Sequence, residues 1–307
     1  MAWVEVPDAV VTEIEELAGS AVASVEGSPL GFSPGFAGLV DFADGSRLFL
    51  KVMSAARDPW SIEFNRREAR VVQQLPAQVQ APSLRWVIEQ GDWLVLAYEA
   101  IDGVPAEPTA DPAHREAMWR GFNELAMVAA PADLPAFHEY QADVMCQWRA
   151  LADAPDRAAR IASLGADGAW VEANLSRLLA WEHDAIEASQ GDRLVHGDVR
   201  ADNVIVAGDT AVFVDWPHAS RGAPWLDFAG YLPSYEMYGG GSASEAFRAH
   251  PLSESVSTAD ERAFVAALAG YFTVQSTEPP MAAIHGIREF QRAQAIPALT
   301  WLRELAD

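Results

Sequence analysis

The rhythm of apolar and polar positions changes near residue 100. Before it, apolar residues alternate or run in short blocks, the signature of strands. Segments 35–43 and 47–53 are such blocks, split by Ala43-Asp44-Gly45-Ser46, whose Asp-Gly pair marks a hairpin turn. Asp58-Pro59 reads as a helix start, with the aspartate as cap and the proline in the first turn. That helix is expected to run to about Gln74 and to stop before Pro76. Two more strands are expected near 83–89 and 93–98, joined by Gln90-Gly91-Asp92. The order strand, strand, helix, strand, strand predicts a small antiparallel sheet with one packed helix.

Beyond Gly103 the apolar spacing becomes helical. Asp111-Pro112 opens a helix with Met118, Phe122, Leu125 and Ala129 on one face. Residues 169–188 repeat the pattern with Val171, Leu175, Leu178 and Leu179. Thr258 and Glu261 make a capping box ahead of Phe264, Leu268 and Tyr271, and Pro297 is expected to interrupt the final helix. The chain thus divides into a mostly-β part over 1–98, a connection over 99–104 and a larger, mainly helical part over 105–307. A cleft between such parts is a common ligand site.

Length and composition narrow this further. The chain has 307 residues, two domains' worth at roughly 150 each, and 50% of it is apolar, enough for a full core. Acids outnumber bases 44 to 21, for a net charge of −23. Such a surface repels phosphate backbones and anionic membranes, so neither nucleic acid nor membrane is an expected partner, whereas a cationic ligand is favoured. The lone cysteine, Cys146, fits a reducing cytoplasm. The N-terminus lacks the pattern of a signal peptide, and no apolar run approaches the roughly 20 residues of a spanning helix. A cytoplasmic protein, monomeric or homodimeric, is expected. All the bases but one are arginine, and the exception, Lys51, occupies a position that calls for a compact ammonium rather than a planar guanidinium.

Among the helices lies one strand-rich island, 193–216. Gly208-Asp209 is a two-residue turn between two runs of β-formers. Closing that hairpin pairs Asn203 with Val214 and sets Asn203 beside Asp215 at the open end. Asp198 lies five residues before Asn203, on the loop leading in. Asn203 and Asp215 suit a hard cation such as Mg²⁺, which takes oxygen ligands and keeps waters and phosphates. Asp198 is left to accept a proton.

His196-Gly197-Asp198, then Asn203, then Asp215-Trp216 resembles the catalytic loop and metal aspartate of kinases, and most closely the aminoglycoside phosphotransferase and choline kinase-like family. The resemblance implies an α+β, bilobal protein kinase-like fold with ATP or GTP as donor and Mg²⁺ as cofactor. Lys51, in Leu48-Phe49-Leu50-Lys51-Val52, falls where that family keeps its phosphate-pairing lysine, and Glu68 falls where the lysine's partner sits. Tyr98, Glu99 and Ile101 resemble the hinge that presents main-chain groups to adenine. Gly31-Phe32-Ser33-Pro34-Gly35-Phe36 falls where a nucleotide-covering loop belongs, which implicates Ser33, Gly35 and Phe36. Asp227, in Trp225-Leu226-Asp227-Phe228, resembles the aspartate that braces the catalytic loop.

These matches imply that Lys51, oriented by Glu68, contacts the phosphates, while Asn203 and Asp215 hold Mg²⁺. Asp198 takes the acceptor proton, Arg200 touches the transferring phosphate or pairs with Asp202, and His196 holds the loop by a hydrogen bond. Candidate acceptor contacts are Trp216, His218, Trp225, Tyr231, Tyr235 and Glu236, and the net charge suits a cationic antibiotic of the aminoglycoside kind. A kinase of choline, homoserine or a sugar is the alternative, and a regulatory pseudokinase a further one. Pro217 stands where protein kinases have glycine, which disfavours a mobile activation segment, and His218-Ala219-Ser220 departs from the usual continuation in antibiotic kinases.

Overall fold

The computed structural model describes residues 1–28, 35–106, 112–281 and 286–306. Its contacts define two units, Met1–Pro105 with Asp202–Pro217 and Ala106–Ala201 with His218–Asp307. In chain order the elements begin with α1 (Asp8–Ala18), β1 (Val22–Gly27), β2 (Phe36–Phe42), β3 (Arg47–Ser54), α2 (Pro59–Gln74), β4 (Leu84–Gln90), β5 (Trp93–Glu99) and β6 (Val104–Pro105). Then come α3 (Pro112–Ala126), α4 (Phe137–Tyr140), α5 (Gln147–Asp153), α6 (Arg157–Ser163), α7 (Ala166–Ala188), β7 (Arg193–Val195), β8 (Val204–Ala207), β9 (Thr210–Phe213) and β10 (Ser220–Gly222). The chain finishes with α8 (Leu226–Met237), α9 (Ala243–Ala249), α10 (Thr258–Gln275) and α11 (Ile287–Ala306). Among the described residues, no helix is long and apolar enough to cross a membrane.

Pleat parity organises the first unit. Its antiparallel sheet has the order β1-β2-β3-β5-β4. Leu50, Val52, Val95 and Ala97 share a buried cluster with Val10 and Ile14 of α1. Their neighbours Met53, Leu94, Leu96 and Tyr98 form a second cluster with Ile62 and Ala69 of α2. Successive strand residues point to opposite faces, so Lys51, between Leu50 and Val52, falls on the α2 face. The β2–β3 turn is as expected: the Ser46 N–H donates to Asp44 Oδ1 at 2.9 Å, and Gly45 takes a left-handed φ of 87° that costs glycine nothing. The start of α2 is also as expected, with the Asp58 carboxylate accepting from the Trp60 N–H at 3.1 Å. α1 and β1 are additions to the expected single helix and four strands. Val10 and Ile14, four apart, signalled the helix; β1 is half-exposed with a register shift between Val22 and Ser24, which blurs any alternation.

Residues 202–217 belong to the first unit through the sheet β6-β8-β9. Gly103 permits this approach: a Cβ there would meet the Val206 carbonyl oxygen at 2.6 Å. The Gly208-Asp209 turn is as expected, pairing Ala207 with Thr210 and Val204 with Phe213.

The second unit is helical, with α10 packed against α7 and α11 and most of its residues buried. Three expectations there are corrected. The cap of α10 is Ser257, whose Oγ accepts from the Asp260 N–H at 3.1 Å. Glu261 instead turns inward and accepts from Trp301 Nε1 at 2.8 Å, so Thr258 and Glu261 are no capping box. α11 continues through Pro297, which is buried within it, at the cost of one missing N–H donor. α3 ends at Ala126, and Ala129 bridges to Arg193 outside it. Asp111, the expected cap of α3, lies outside the described residues.

Candidate active site

Lys51 gathers the charged groups of the first unit. Its Nζ donates to Glu68 Oε1 at 2.8 Å, to Glu68 Oε2 at 2.7 Å and to Asp215 Oδ1 at 2.8 Å. Glu68 is on the buried face of α2 and only 2% exposed, while Lys51 is 18% and Asp215 35% exposed. Burial by itself would push the Lys51 ammonium down, but the charges of Asp215 and Glu68 outweigh it and hold the group above its ordinary range. Burial pushes the Glu68 carboxyl up, opposed by the Lys51 charge. Tyr98 is buried with Lys51 Nζ 5.9 Å from its ring centroid, and desolvation, then the Glu68 charge, keeps its phenol protonated far above neutrality.

Asp215 is held in place by its neighbours. It has a left-handed φ of 70°, the sole positive φ among described non-glycine residues. Such a conformation costs of order 1–3 kcal/mol and persists only where the surroundings enforce it. Before it, the Val214 N–H donates to the Asn203 carbonyl at 3.0 Å, which sets Asn203 and Asp215 together at the open end of the β8–β9 hairpin. After it, Trp216 is buried with its indole Nε1 donating to the Phe213 carbonyl at 2.8 Å. Arg67 Nε then donates to the Pro217 carbonyl at 2.6 Å. The sequence reading missed Arg67; its one signal was that it adjoins Glu68 on α2.

Of the expected hinge and covering loop, Tyr98 and Glu99 end β5, and Ile101 follows, partly exposed. The Glu99 side chain pairs with Arg85 at 3.6 Å. Phe36 pairs with Val52, so its side chain takes the face opposite Lys51 and packs edge-on against Trp3 at 5.1 Å between ring centroids. Gly35 accepts from the Met1 ammonium at 3.4 Å. Ser33 lies outside the described residues.

In the second unit, Asp227 in the first turn of α8 accepts from the His196 N–H at 2.7 Å and the Gly197 N–H at 2.9 Å. Burial raises its carboxyl to about 6 against these two bonds, with the nearby Asp198 charge adding to the rise. Gly197 needs its φ of 82°, and a Cβ there would meet the His218 carbonyl at 2.8 Å. Buried His196 accepts from the Asp198 N–H through Nδ1 at 3.3 Å. Gln141, also unforeseen, donates to the Gly197 carbonyl at 3.3 Å. Asp198 thus sits on a loop fixed at its backbone, with its carboxylate partly exposed. Arg200 Nη1 donates to both Asp198 oxygens, at 2.9 and 2.7 Å.

The candidate acceptor residues are mostly packed away. Trp216 and Tyr231 are 0% exposed, Tyr235 4% and Trp225 5%. Tyr231 donates to Met118 Sδ at 3.6 Å, and Trp225 lies edge-on to Phe264 at 5.2 Å. These four rings build cores, and their side chains offer almost no surface to an acceptor. Glu236 accepts from the Ala243 N–H at 2.7 Å at the start of α9. His218 is partly exposed and edge-on to Tyr140 at 5.9 Å.

For Mg²⁺ the donor chemistry fits. Asn203 and Asp215 are hard-oxygen side chains at one hairpin end, and Asp215 keeps a partly exposed carboxylate there. Among the described residues, no three His, Cys, Asp or Glu side chains cluster as a complete metal cage. Two protein ligands with the rest left to water and phosphate is the usual Mg²⁺ arrangement.

The sequence model of the phosphotransferase enzyme family known as APH matches residues 36–271. No curated protein matches the chain. Among solved structures, a choline/ethanolamine kinase family protein from Mesorhizobium loti superposes with a TM-score of 0.62 at 15% identity, covering 97% of this chain and 96% of that one. A macrolide 2′-phosphotransferase type I gives 0.55 at 15% identity, covering 98% of both chains. An aminoglycoside phosphotransferase from Alicyclobacillus acidocaldarius gives 0.54 at 13% identity, covering 99% of this chain and 97% of that one. The sheet-then-helix architecture is the protein kinase-like fold of these neighbours.

Proposed function

Because the chain belongs to the APH phosphotransferase enzyme family, we propose that it transfers the terminal phosphoryl group of ATP to a hydroxyl of a small molecule. The observation that carries this reading is the bonding of Lys51 to both Glu68 and Asp215. The sequence's solitary lysine is placed by strand parity opposite the buried glutamate of α2, and the same ammonium reaches the aspartate of the 193–216 island. In this reading Lys51 grips the α- and β-phosphates, and Glu68 fixes its position. Asn203 and Asp215 hold Mg²⁺, which, when bound, neutralises phosphate charge. The backbone over 98–101 receives the adenine.

Asp198 orients the acceptor hydroxyl and takes its proton as the oxygen bonds to phosphorus. His196, Gln141 and Asp227 fix the loop so that little motion is needed at the moment of transfer, and positioning supplies much of the rate in such reactions. Arg200 holds both oxygens of Asp198 through one nitrogen, and the phosphate in transit is the proposed partner of its guanidinium. The net charge of −23 is the argument for a cationic acceptor, and it is a property of the whole surface rather than of the residues around Asp198.

The test is ADP release from ATP and Mg²⁺ with a panel of hydroxylated antibiotics and metabolites, repeated with GTP. Acceptor-dependent ADP release, with the phosphate recovered as an ester of the acceptor, is the expected result. Nucleotide binding without transfer to any acceptor would favour a pseudokinase, and absence of nucleotide binding would end the proposal.

A further inference from the structure

The Asp198 carboxylate leads into a network of guanidinium groups and amides. Arg200, which bonds the Asp198 carboxylate, also lies over the ring of Phe290 on α11, 5.8 Å from its centroid. Arg288 and Gln291 flank Phe290 on that helix. Arg288 Nη1 donates to Gln291 Oε1 at 2.9 Å and to Gln275 Oε1 at 3.0 Å, and its Nε donates to the Pro279 carbonyl at 3.1 Å. Gln275 passes the chain of bonds on to Gln147 Oε1 at 3.1 Å. Tyr271, one turn earlier on α10, belongs to the same group. Burial, then the Asp198 charge, raises its phenol, while Gln291, Arg200 and Arg288 lower it. One carboxylate, two guanidinium groups, a phenol and three amides therefore neighbour one another within the second unit.

Arg288, like Arg177 elsewhere in the second unit, departs from the usual pairing of arginines in this chain. Arg47, Arg57, Arg66, Arg160, Arg248 and Arg303 each pair with a carboxylate, as a twofold excess of acids makes easy. Every hydrogen bond of Arg288 among the described residues goes to a neutral oxygen. The amides hold its fork in place without cancelling its charge, which is how a protein presents a guanidinium to an anion.

We propose that the acceptor is a hydroxylated anion, a small molecule whose carboxylate or phosphate is held by Arg288 while its reacting hydroxyl meets Asp198. Tyr271 and the amides of Gln147, Gln275 and Gln291 suit its other hydroxyls. This rests on the phosphotransfer reading and specifies the acceptor's charge, against the expectation drawn from net charge.

The experiment first measures AMP-PNP binding with Mg²⁺ to the full chain; failure there strikes the phosphotransfer reading itself. Inorganic phosphate and glycerate are then titrated onto the nucleotide-saturated protein, following its thermal midpoint. Both should bind the wild type, Arg288→Gln should weaken them tenfold or more, and Arg288→Lys should restore part of the loss, with AMP-PNP affinity equal in all three. In turnover, ribose 5-phosphate and glycerate should outrun ribose and glycerol, and Arg288→Gln should raise KM more than it lowers kcat. Should Arg288→Gln not fold, the wild-type preference within these matched pairs carries the decision. Equal anion binding by wild type and Arg288→Gln, no anion binding by the wild type, or preference for streptomycin or choline overturns the inference and leaves phosphotransfer standing.

Discussion

The two units hold their key carboxylates in opposite ways. In the first, Glu68 and Asp215 face an ammonium, and the three charges hold one another. In the second, Asp227 and Glu182 face backbone N–H groups: Asp227 braces the His196–Gly197 peptides, and Glu182 accepts from Trp148 and Arg149 at 2.6 and 3.0 Å at the start of α5. Burial raises Asp227 to about 6 and Glu182 to about 7, because hydrogen bonds alone do not repay the lost water. The first arrangement suits a group that must carry charge to a phosphate. The second suits a scaffold.

Substitutions that remove function should therefore divide by unit. The largest effect is expected from Asp198→Asn, which keeps the loop and its Asp227 brace but removes the proposed proton acceptor. Turnover should fall about 10²–10⁴-fold with the KM for ATP unchanged, as steady-state kinetics would show. A fall in ATP affinity of similar size would erase the proposed distinction between a unit that holds nucleotide and one that supplies the base.

Lys51→Met should fail in the complementary way. Breaking a fully buried pair costs about 3–5 kcal/mol, and the partial exposure of Asp215 places the expected loss in the lower part of that range. ATP affinity should fall with it. Adding Glu68→Gln removes one stranded charge, so the double variant should regain stability in urea unfolding without regaining activity. If the double variant is as unstable as the sum of the two single changes, the charges were not holding one another.

pH separates Asp227 from Lys51 by window: both lose stability as pH rises, one in the acid range and the other in the alkaline range. The folded state keeps a proton on Asp227 up to about 6, whereas an ordinary aspartate releases it near 3.8. Between those values the folded protein binds more protons than the unfolded one, so stability falls as pH rises through that window, by about 3 kcal/mol. Asp227→Asn should flatten this part of the profile, the remaining decline belonging to the other raised carboxyls, Glu182, Glu68 and Glu261. Lys51 works at the other end: its folded-state ammonium is held above the ordinary lysine value, so its contribution is present through neutrality and lost only at strongly alkaline pH. Urea unfolding of wild type and Asp227→Asn from pH 4 to 7 measures the first effect; parallel profiles for the two proteins would refute it.

The same contrast governs what could be read from sequence. The grouping of Lys51 with Glu68 and Asp215 was legible because residue type, spacing and strand parity placed them on definite elements. The β2–β3 hairpin and α2 were legible because Asp-Gly and Asp-Pro act locally. The acceptor was not. Tyr231 and Trp225 look alike in sequence whether they line a pocket or fill a core, and only packing separates the two. Arg288 was one arginine among many until α10 and α11 surrounded it with amides. Net charge, being global, said nothing of its neighbourhood. Pro297 misled because a helix buried along its length tolerates one lost hydrogen bond, and Ser257 was passed over because Thr258 and Glu261 offered the same pattern one residue later.

The smallest effects sharpen the comparison most cleanly, since each unit has a helix whose side-chain cap the structure identifies. Asp58 caps α2 and Ser257 caps α10. Replacing either by alanine should cost about 1 kcal/mol, read as a lowered urea midpoint. The functional consequences should differ. α2 carries Glu68 and Arg67, which bond Lys51 and the Pro217 carbonyl, so Asp58→Ala loosens the helix that positions the proposed phosphate grip and should raise the KM for ATP about two- to fivefold, roughly 0.4–1 kcal/mol of binding. Ser257→Ala should leave the KM for ATP unchanged, because α10 belongs to the unit assigned no part in holding nucleotide. Thr258→Ala, at the position first expected to cap the helix, should alter neither stability nor KM by more than a few tenths of a kcal/mol. If Ser257→Ala raises the KM for ATP as much as Asp58→Ala does, nucleotide binding draws on both units alike, and the division of labour between them fails at its least disruptive test.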